Sequence, residues 1–257
     1  MNFTPVILTK NEELNIDKCI KNLTWSKQII IIDSYSSDKT IPIALKYKKN
    51  VKILRCKKSE TYVSKINLVL KYYPSKWILL LDADYELEKK TKIFLRFFKP
   101  NNFYSAYSFK IKNILDSKIL DAELYPSKAL LFNSKLVNFT QDGHKEKIII
   151  KGKIRFLNLN IFHSDKKKFN VWFTNQIKYS KDEVNKIFKK SFLQRDFKSK
   201  IRSIPFTMNI ALVFYLLLYK KVLKFGIPGM KYFLQRQLYE FILALIYIYN
   251  FFSKKIK

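Results

Sequence analysis

The sequence predicts an α/β fold with a mostly parallel sheet, an antiparallel extension and a C-terminal helical tail. Three observations support it. Short apolar runs alternate with segments of helical periodicity over residues 5–99, longer strand-like segments follow residue 100, and two apolar runs with lysine flanks close the chain. Alternating strands and helices imply right-handed crossovers, and therefore a parallel sheet in the first part.

The first hundred residues contain four candidate strands. The second includes four consecutive isoleucines, a pattern typical of a strand buried on both faces of a sheet. Segments with apolar residues at helical spacing separate the strands. We expect strands over 5–9, 28–34, 51–55 and 77–82, and helices over 16–23, from 38, over 63–70 and over 87–98.

The rest of the chain has a different pattern. Segments 104–120 and 129–139 resemble antiparallel strands, 147–150 and 156–163 are further strand candidates, and 170–188 forms a long polar helix. We therefore expect one α/β domain over 1–200, with halves 1–99 and 100–200. A helical tail should occupy 201–257.

Composition limits the class of protein. The 257 residues are 48% hydrophobic, which excludes a disordered chain. The net charge of +30 comes from 50 Lys and Arg against 20 Asp and Glu, and only six of the cations are Arg. This lysine excess indicates a solvated surface or attraction to an anionic membrane, and nucleic-acid binding ranks third because base and phosphate recognition favours Arg. The two cysteines form no CxxC pair, which suits a reducing compartment.

The tail contains two apolar runs, 210–219 and 241–249, each followed by lysines. A membrane-spanning helix needs about 20 apolar residues, and both runs are shorter. Abundant Tyr and Phe with lysine flanks favour helices that lie in the membrane interface. Packing against the protein's own core and true spanning remain alternatives. The N-terminus has no charged leader or long apolar core, so no signal peptide is expected.

Polar clusters follow three of the predicted strands. Ligands of open parallel sheets bind at the carboxyl ends of strands, so these clusters should meet in space. They comprise residues 9–13 (TKNEE), 33–38 (DSYSSD) and 82–84 (DAD).

Asp82 and Asp84 directly follow a buried strand. We expect extended backbone here, so the two carboxylates should face the same side, and hard oxygen ligands at that spacing suit Mg²⁺ or Mn²⁺ shared with substrate phosphates. A strand-end turn or helix cap is the alternative explanation. The pair predicts a divalent metal site.

The three clusters, in this order, resemble those of bacterial family-2 glycosyltransferases of the GT-A (Rossmann-like) fold, and most of all the branch of lipopolysaccharide core glucosyltransferases. The resemblance is good over residues 4–90 and looser to about residue 180. Tyr35 departs from it, because the family commonly has a small residue such as Gly there.

The resemblance implies roles for the first half, which would bind the donor. Asp33 would accept hydrogen bonds from the nucleotide base or ribose, and Asp82 would face the ribose or the metal. Asp84 would hold the metal that bridges the diphosphate. The residues implied in nucleotide-sugar binding are Thr9, Asn11, Glu12, Asp33, Ser34, Lys65, Asn67 and Asp82; an exposed helix face is the alternative for Lys65 and Asn67.

The second half would supply the catalytic base. Inverting transfer needs a carboxylate that takes the proton of the acceptor hydroxyl. Residues 142–146 resemble the acidic base segment of the family, with Glu146 as the first candidate and Asp142 as the second. An ordinary ion pair with Lys145 is the alternative. His163 resembles a histidine that reaches the metal or diphosphate, although a lone histidine at a strand end is usually structural.

The expected reaction is metal-dependent, inverting transfer of a hexose from a nucleotide diphosphate sugar, UDP-linked in the first instance, to a cell-envelope glycan or glycolipid. Mn²⁺ or Mg²⁺ would be the cofactor. The enzyme would lie in the cytoplasm, peripherally on the inner membrane. Two alternatives stay open, a nucleotidyltransferase acting on sugar phosphates and a basic nucleic-acid-binding protein. GxxxxGK[ST], GxGxxG and G-x-S-x-G motifs are absent from the sequence.

Overall fold

The computed structural model describes residues 2–56, 62–72, 76–142 and 145–255. Its contacts divide the chain into two compact units. The predicted boundary at residue 200 stays a prediction, and the long helix over 169–188 belongs to the second of these units. The first unit comprises Met1–Ile114, Glu123–Gln141 and Glu146–Lys166, and the second comprises Leu115–Ala122, Asp142–Lys145 and Lys167–Lys257.

The first unit is built on a mixed sheet. Eight strands lie side by side in the order β3-β2-β1-β4-β8-β6-β11-β5. The first four are parallel, as predicted, and β8 then runs antiparallel to both β4 and β6. The strands are β1 (Thr4–Thr9), β2 (Ile29–Asp33), β3 (Val51–Arg55), β4 (Trp77–Asp82), β5 (Tyr85–Leu87), β6 (Ala106–Leu115), β8 (Lys128–Asn133) and β11 (Ile154–His163).

Strand β2 shows why this sheet forms the core. Ile29 and Ile31 belong to the apolar cluster on one face, and Ile30 and Ile32 belong to the cluster on the other face. All four side chains are fully buried. A strand that is apolar on both faces is stable only between two covering layers. Four helices of this unit are α1 (Ile16–Lys21), α2 (Thr40–Leu45), α3 (Tyr62–Tyr72) and α4 (Lys89–Phe97).

Two features of the first unit differ from the expectation. The helix predicted from residue 87 starts at Lys89, because Tyr85–Leu87 forms β5 against β11. Strands β9 (Val137–Asp142) and β10 (Lys145–Ile150) pair as a separate two-stranded sheet. A three-residue strand carries too little sequence periodicity to be recognised without its partner.

The second unit is mainly helical. Helices α5 and α8 pack through a core of Val184, Ile187, Tyr239, Leu243 and Tyr247. Among the residues described, no helix is long and apolar enough to cross a membrane. The elements are β7 (Lys118–Leu120), α5 (Phe169–Phe188), α6 (Phe197–Arg202), α7 (Thr207–Phe214), a π-helical turn (Tyr215–Tyr219) and α8 (Ile227–Lys255); short 3₁₀ turns occupy Ser134–Leu136 in the first unit, and Phe192–Gln194 and Val222–Phe225 in the second.

A buried ion network ties three helices of this unit together. Arg202 of α6 donates hydrogen bonds to Glu240 of α8 and, at 2.9 Å, to Glu183 of α5. All three side chains are buried. Because a buried charge is stable only when it is paired, this network holds α5, α6 and α8 in one arrangement.

Candidate active site

The loops after β1 and β2 are joined by hydrogen bonds. The backbone N–H of Asn11 donates to Ser36 Oγ at 2.9 Å, and the N–H of Ser37 donates to Asn11 Oδ1 at 2.8 Å. The N–H of Glu12 donates to Thr40 Oγ1 at 2.7 Å. These contacts bridge more than twenty residues of sequence, so the first two polar clusters meet as the sequence predicts.

The third cluster lies at the same edge of the sheet. In the parallel pairing of the strands, Leu8 of β1 lies opposite Asp82 of β4, and Thr9 of β1 lies opposite Asp33 of β2. The N–H of Ala83 donates to the carbonyl oxygen of Leu8 at 3.1 Å. The carboxyl ends of three parallel strands therefore bring their acidic and polar residues together, which is the usual position of a ligand site in such a sheet.

Tyr35 adopts a left-handed backbone conformation with a φ of 56°. This region is unfavourable for residues with a Cβ atom and is natural for glycine. The conformation explains why a small residue such as Gly is common at this position in the family that the sequence resembles. Tyr35 adopts this left-handed conformation despite its large side chain, and its ring is half exposed.

Asp33 is only 1% exposed, and its carboxylate stabilises the loop that follows it. The oxygens Oδ1 and Oδ2 accept hydrogen bonds from the N–H of Ser36, and the hydroxyl of Ser36 also donates to Oδ1. The next residue, Ser34, is buried, and its N–H donates to the carbonyl oxygen of Thr9 at 3.0 Å. The carboxylate of Asp33 thus accepts hydrogen bonds from its own loop, and its contact with the nucleotide base or ribose stays a prediction.

Thr9 carries a buried hydroxyl that has no hydrogen-bond partner in the part of the chain that the structure describes. Leaving such a group unsatisfied costs about 1–3 kcal/mol. Its position beside Asp33 at the end of β1 makes a hydrogen bond to a bound polar molecule the simplest way to recover that cost.

A second group of polar residues surrounds His163. Its Nε2 lies 3.2 Å from Asp84 Oδ2, and its Nδ1 lies 3.3 Å from Asn113 Oδ1. The N–H of Ser164 donates to the carbonyl oxygen of Asp84 at 2.9 Å. The aspartate that follows β4 and the histidine that ends β11, which are 79 residues apart, therefore contact each other.

Negative charge concentrates at this edge of a protein that is otherwise strongly basic. Burial lowers the pKa of His163. The charge of Asp84 and the hydrogen bond to it raise that pKa by more, so the pKa lies above its usual value. Burial raises the pKa of the Cys19 thiol, and Asp84 and Asp82 add to the increase. The raised pKa keeps the Cys19 thiol in its protonated form.

The metal prediction for Asp82, Asp84 and His163 is supported by some features and not by others. Strand β4 ends at Asp82, and Ala83 and Asp84 form a turn before β5. The expectation of extended backbone through Asp84 was therefore wrong, because the chain turns there to begin β5. Within the described ranges, no three His, Cys, Asp or Glu side chains form a preassembled metal cluster. The residues nevertheless fit Mg²⁺ or Mn²⁺, since these ions use one or two carboxylates and take further oxygens from substrate phosphates.

For four other predicted site residues, the structure gives the position in the fold but no contacts that test their roles. Lys65 and Asn67 lie on α3, where Lys65 is half-buried and Asn67 is exposed. The side chains of Asp142 and Glu146 lie outside the described residues; their backbones end β9 and follow the start of β10. The roles of these four residues stay predictions.

Asn113 is a site residue that the sequence did not reveal. It lies on β6, level with His163 on the parallel neighbour β11. Asn113 stands out only as an amide side chain within a strand whose residues are mostly buried. Without the β6–β11 register, nothing in the sequence connects it with His163.

Comparisons with known proteins give matches to glycosyltransferases. Residues 5–113 match the model of glycosyl transferase family 2. An uncharacterized glycosyltransferase of Rickettsia conorii is 26% identical over 200 residues, which are 71% of this chain and 69% of the relative. The SPbeta prophage-derived glycosyltransferase SunS of Bacillus subtilis is 29% identical over 171 residues, which are 62% of this chain but only 38% of SunS.

Solved structures with the same fold include two nucleotide-sugar complexes. The mannosyltransferase PcManGT of Pyrobaculum calidifontis, in complex with GDP-Man and Mn²⁺, superposes with a TM-score of 0.55 at 12% identity, covering 97% of this chain and 87% of that one. S. aureus TarS 1–349, in complex with UDP-GlcNAc, gives 0.51 at 14% identity, covering 86% and 78%. The predicted GT-A-like fold is confirmed. Residues 5–113, which are less than half of the chain, match glycosyl transferase family 2, and the comparisons together identify the chain as a glycosyltransferase.

Proposed function

We propose that this glycosyltransferase transfers a hexose from a nucleotide diphosphate sugar to an acceptor hydroxyl, with inversion at the anomeric carbon and with a divalent metal ion. The observation that carries the proposal is the meeting of three polar strand ends with the Asp84–His163 pair at one edge of the sheet. That edge combines hydrogen-bonding groups for a nucleotide with negative charge for a cation. A sugar diphosphate bound through a metal needs both.

The donor end of the site would use the loops after β1 and β2. The buried hydroxyl of Thr9 supplies a hydrogen bond that no described protein group uses. Asp33 and Ser34 are buried next to it and are held by the loop contacts. We propose that these residues contact the nucleoside, with Asn11 and Glu12 shaping the loop. Lys65 and Asn67 are assigned to the donor by resemblance alone.

Asp84, Asp82 and His163 would hold Mn²⁺ or Mg²⁺. When bound, such an ion offsets the negative charge that develops on the leaving diphosphate. The concentration of carboxylates at this edge favours a cation there, and the mannosyltransferase of Pyrobaculum calidifontis was solved with GDP-Man and Mn²⁺. Asp84 is the residue on which we expect this binding to depend most.

The transfer step needs a base on the acceptor side. The acceptor oxygen forms a bond to the anomeric carbon as the bond from that carbon to the diphosphate oxygen breaks, and the nucleoside diphosphate leaves. The hydroxyl proton passes to a carboxylate. We propose Glu146 for this role, with Asp142 as the second candidate.

A donor screen tests the reaction class. Purified full-length protein with Mn²⁺ should bind one nucleotide diphosphate sugar, seen as a rise in its unfolding temperature, and should release the nucleoside diphosphate slowly in water and faster with acceptor. The chelator EDTA should abolish both effects. If the protein instead released inorganic diphosphate from a nucleoside triphosphate and a sugar 1-phosphate, it would be a nucleotidyltransferase. Failure to bind or turn over any common nucleotide sugar would refute the proposal.

We also propose that the second unit binds an anionic membrane surface, where lipid-linked or cell-envelope glycan acceptors on the cytoplasmic side of the inner membrane would be available. Helix α7 and its π-helical turn carry an apolar stripe that faces solvent, formed by Ile210, Phe214 and Leu218. Their side chains are 60%, 58% and 66% exposed. Apolar residues that recur every four positions normally face a core. An outward stripe of this size suits a membrane interface.

Charge points to the same partner. Residues 197–239 contain eight Lys and Arg and no Asp or Glu. Lys220 lies over the rings of Tyr215 and Tyr219, at the C-terminal end of the stripe. Amphipathic aromatic rings beside lysines match the boundary between lipid headgroups and acyl chains, and each cation near an anionic surface contributes about 1 kcal/mol.

Vesicle sedimentation tests the membrane proposal. The triple variant Ile210→Ser, Phe214→Ser, Leu218→Ser should bind vesicles of phosphatidylcholine and phosphatidylglycerol at least about tenfold more weakly, because each buried apolar side chain contributes about 1.5–3 kcal/mol. A matched control replaces three exposed apolar residues of the first unit, Ile93, Phe97 and Phe103, by serine and should bind as the wild type does. Equal binding by both triple variants would contradict the proposal, as would equal wild-type binding to vesicles without the anionic lipid.

A further inference from the structure

We propose that the ring of Tyr35 stacks on the base of the donor nucleotide and so contributes to the affinity for the donor. The inference deepens the proposed function and rests on it. Its basis is an aromatic side chain that is 51% exposed, on a backbone with a φ of 56°, in the loop that directly follows β2. A glycine would satisfy this turn more easily, so the turn itself does not account for the tyrosine.

The backbone at Tyr35 gives no reason for a large side chain. A left-handed conformation is disfavoured for residues with a Cβ atom, and Asn tolerates it better than most. Asn11 in the neighbouring loop is also left-handed, with a φ of 54°, and its side chain accepts a hydrogen bond from the N–H of Ser37 at 2.8 Å. The ring of Tyr35 is half in solvent, so its burial offsets little of the unfavourable backbone. Residues in such conformations cluster at active sites and ligand-binding loops.

The loop fixes the position from which the ring extends. Before Tyr35, the N–H of Ser34 donates to the carbonyl oxygen of Thr9 at 3.0 Å. After it, the N–H and the hydroxyl of Ser36 donate to the carboxylate of Asp33. A side chain on a backbone that is already ordered loses less entropy when a ligand binds, so more of its contact energy appears as affinity.

Strand order places this loop where a base would lie. The order β2-β1-β4 puts the ends of β2 and β4 two strands apart, which is about 10 Å. If Asp82 and Asp84 at the end of β4 bind the metal and diphosphate, an extended nucleotide reaches the end of β2 with its base. Between them, at the end of β1, lies the buried Thr9 hydroxyl, which has no hydrogen-bond partner within the described ranges. That group independently favours a bound polar molecule beside this loop.

A tyrosine ring has the chemistry that a nucleobase needs. It offers a flat apolar face, and every base has a π-face that can stack on it; removal of such a ring weakens binding roughly 5–100-fold. The base is remote from the anomeric carbon, so its contacts have the same strength before and during transfer. Such uniform contacts lower the KM for the donor and leave kcat unchanged.

Two substitutions at this position test the stacking. Tyr35→Gly removes the ring, and Tyr35→Phe keeps the ring but removes its hydroxyl. Isothermal titration calorimetry with UDP and with GDP, each with Mn²⁺, measures nucleotide affinity. For the nucleotide that the wild type binds, affinity should fall at least about fivefold in the glycine variant and stay within about threefold in the phenylalanine variant. In the transfer assay, the glycine variant should have a higher KM for the donor and a kcat within about twofold of wild type.

Thermal unfolding separates a ligand contact from a packing contact. Without nucleotide, Tyr35→Gly should unfold at a temperature no lower than that of the wild type, because glycine suits the left-handed backbone. The matched control is Ser117→Gly, which makes the same backbone change at an exposed residue with a φ of 63° in the turn between β6 and β7. Its nucleotide affinity should equal that of the wild type.

The results also distinguish the inference from the proposed function on which it rests. Equal affinity of the wild type and the glycine variant would overturn the inference and leave the donor proposal intact. A phenylalanine variant as weak as the glycine variant would mean that the hydroxyl makes the contact, and a glycine variant that unfolds at a lower temperature would mean that the ring stabilises the fold; either result overturns the inference. If the wild type binds neither nucleotide, the donor part of the proposed function fails, and the inference fails with it.

Discussion

Replacement of Asp84 by asparagine is expected to lower kcat/KM for sugar transfer roughly 10²–10³-fold, because a neutral amide would hold the metal ion less well and the charge on the leaving diphosphate would be offset less. The amide would keep the size of the side chain and the turn between β4 and β5. It would remove the negative charge that His163 contacts at 3.2 Å. The rate of nucleoside diphosphate release with saturating Mn²⁺ measures the loss.

The matched control for this variant is Asp116→Asn. Asp116 is an exposed carboxylate that forms an ion pair with Lys231 at 2.7 Å. Its substitution makes the same chemical change at the surface and should leave kcat/KM within about twofold of wild type. An Asp84→Asn enzyme with more than a tenth of wild-type activity would show that the metal proposal assigns the wrong residue.

Replacement of Arg202 by methionine is expected to lower the free energy of unfolding of the second unit by about 3–5 kcal/mol. Arg202 Nε and Nη1 donate to Glu240 at 2.8 Å and to Glu183 at 2.9 Å, and both carboxylates are buried. Without the guanidinium, each would remain charged in a medium that solvates it poorly. Urea denaturation, followed by the loss of helical circular dichroism, measures the effect.

Two further variants test the physical reason. Lys231→Met breaks an exposed ion pair and should cost at most about 1 kcal/mol. Adding Glu183→Gln and Glu240→Gln to Arg202→Met should recover part of the stability, because the stranded charges are then gone. If Arg202→Met unfolds at the same urea concentration as Lys231→Met, the network does not stabilise the unit in the way that its burial implies.

The parallel half of the sheet was predictable because its signals are local. The isoleucines of β2 are apolar on both faces within one short segment, and acidic residues follow directly after β2 and β4. The rule that ligands bind at the carboxyl ends of parallel strands then brings Asp33 and Asp84 to one edge without any structural information. The predicted convergence of the three clusters was confirmed by contacts such as that between Asn11 and Ser36.

The antiparallel extension was less predictable because its pairing is not local. The strand Tyr85–Leu87 is too short for a periodic signal, and its partner residues on β11, Ile161 to His163, lie far along the chain. The turn at Ala83 and Asp84 follows from that pairing, so the expectation of extended backbone through Asp84 failed there. The sequence predicts α5 as a polar helix, and only the packing of α5 on α8 shows which of its residues belong to the core.

By itself the sequence determined the class of fold, the edge of the sheet where the polar clusters meet and the acidic residues that lie there, since burial on both faces and strand-end polarity are properties of short segments. The tertiary structure alone decided which groups touch. It placed Asn113 and Asp84 on opposite nitrogens of His163 and joined Arg202 to Glu183 and Glu240. These contacts depend on strand register and helix packing between distant segments, and no local pattern encodes them.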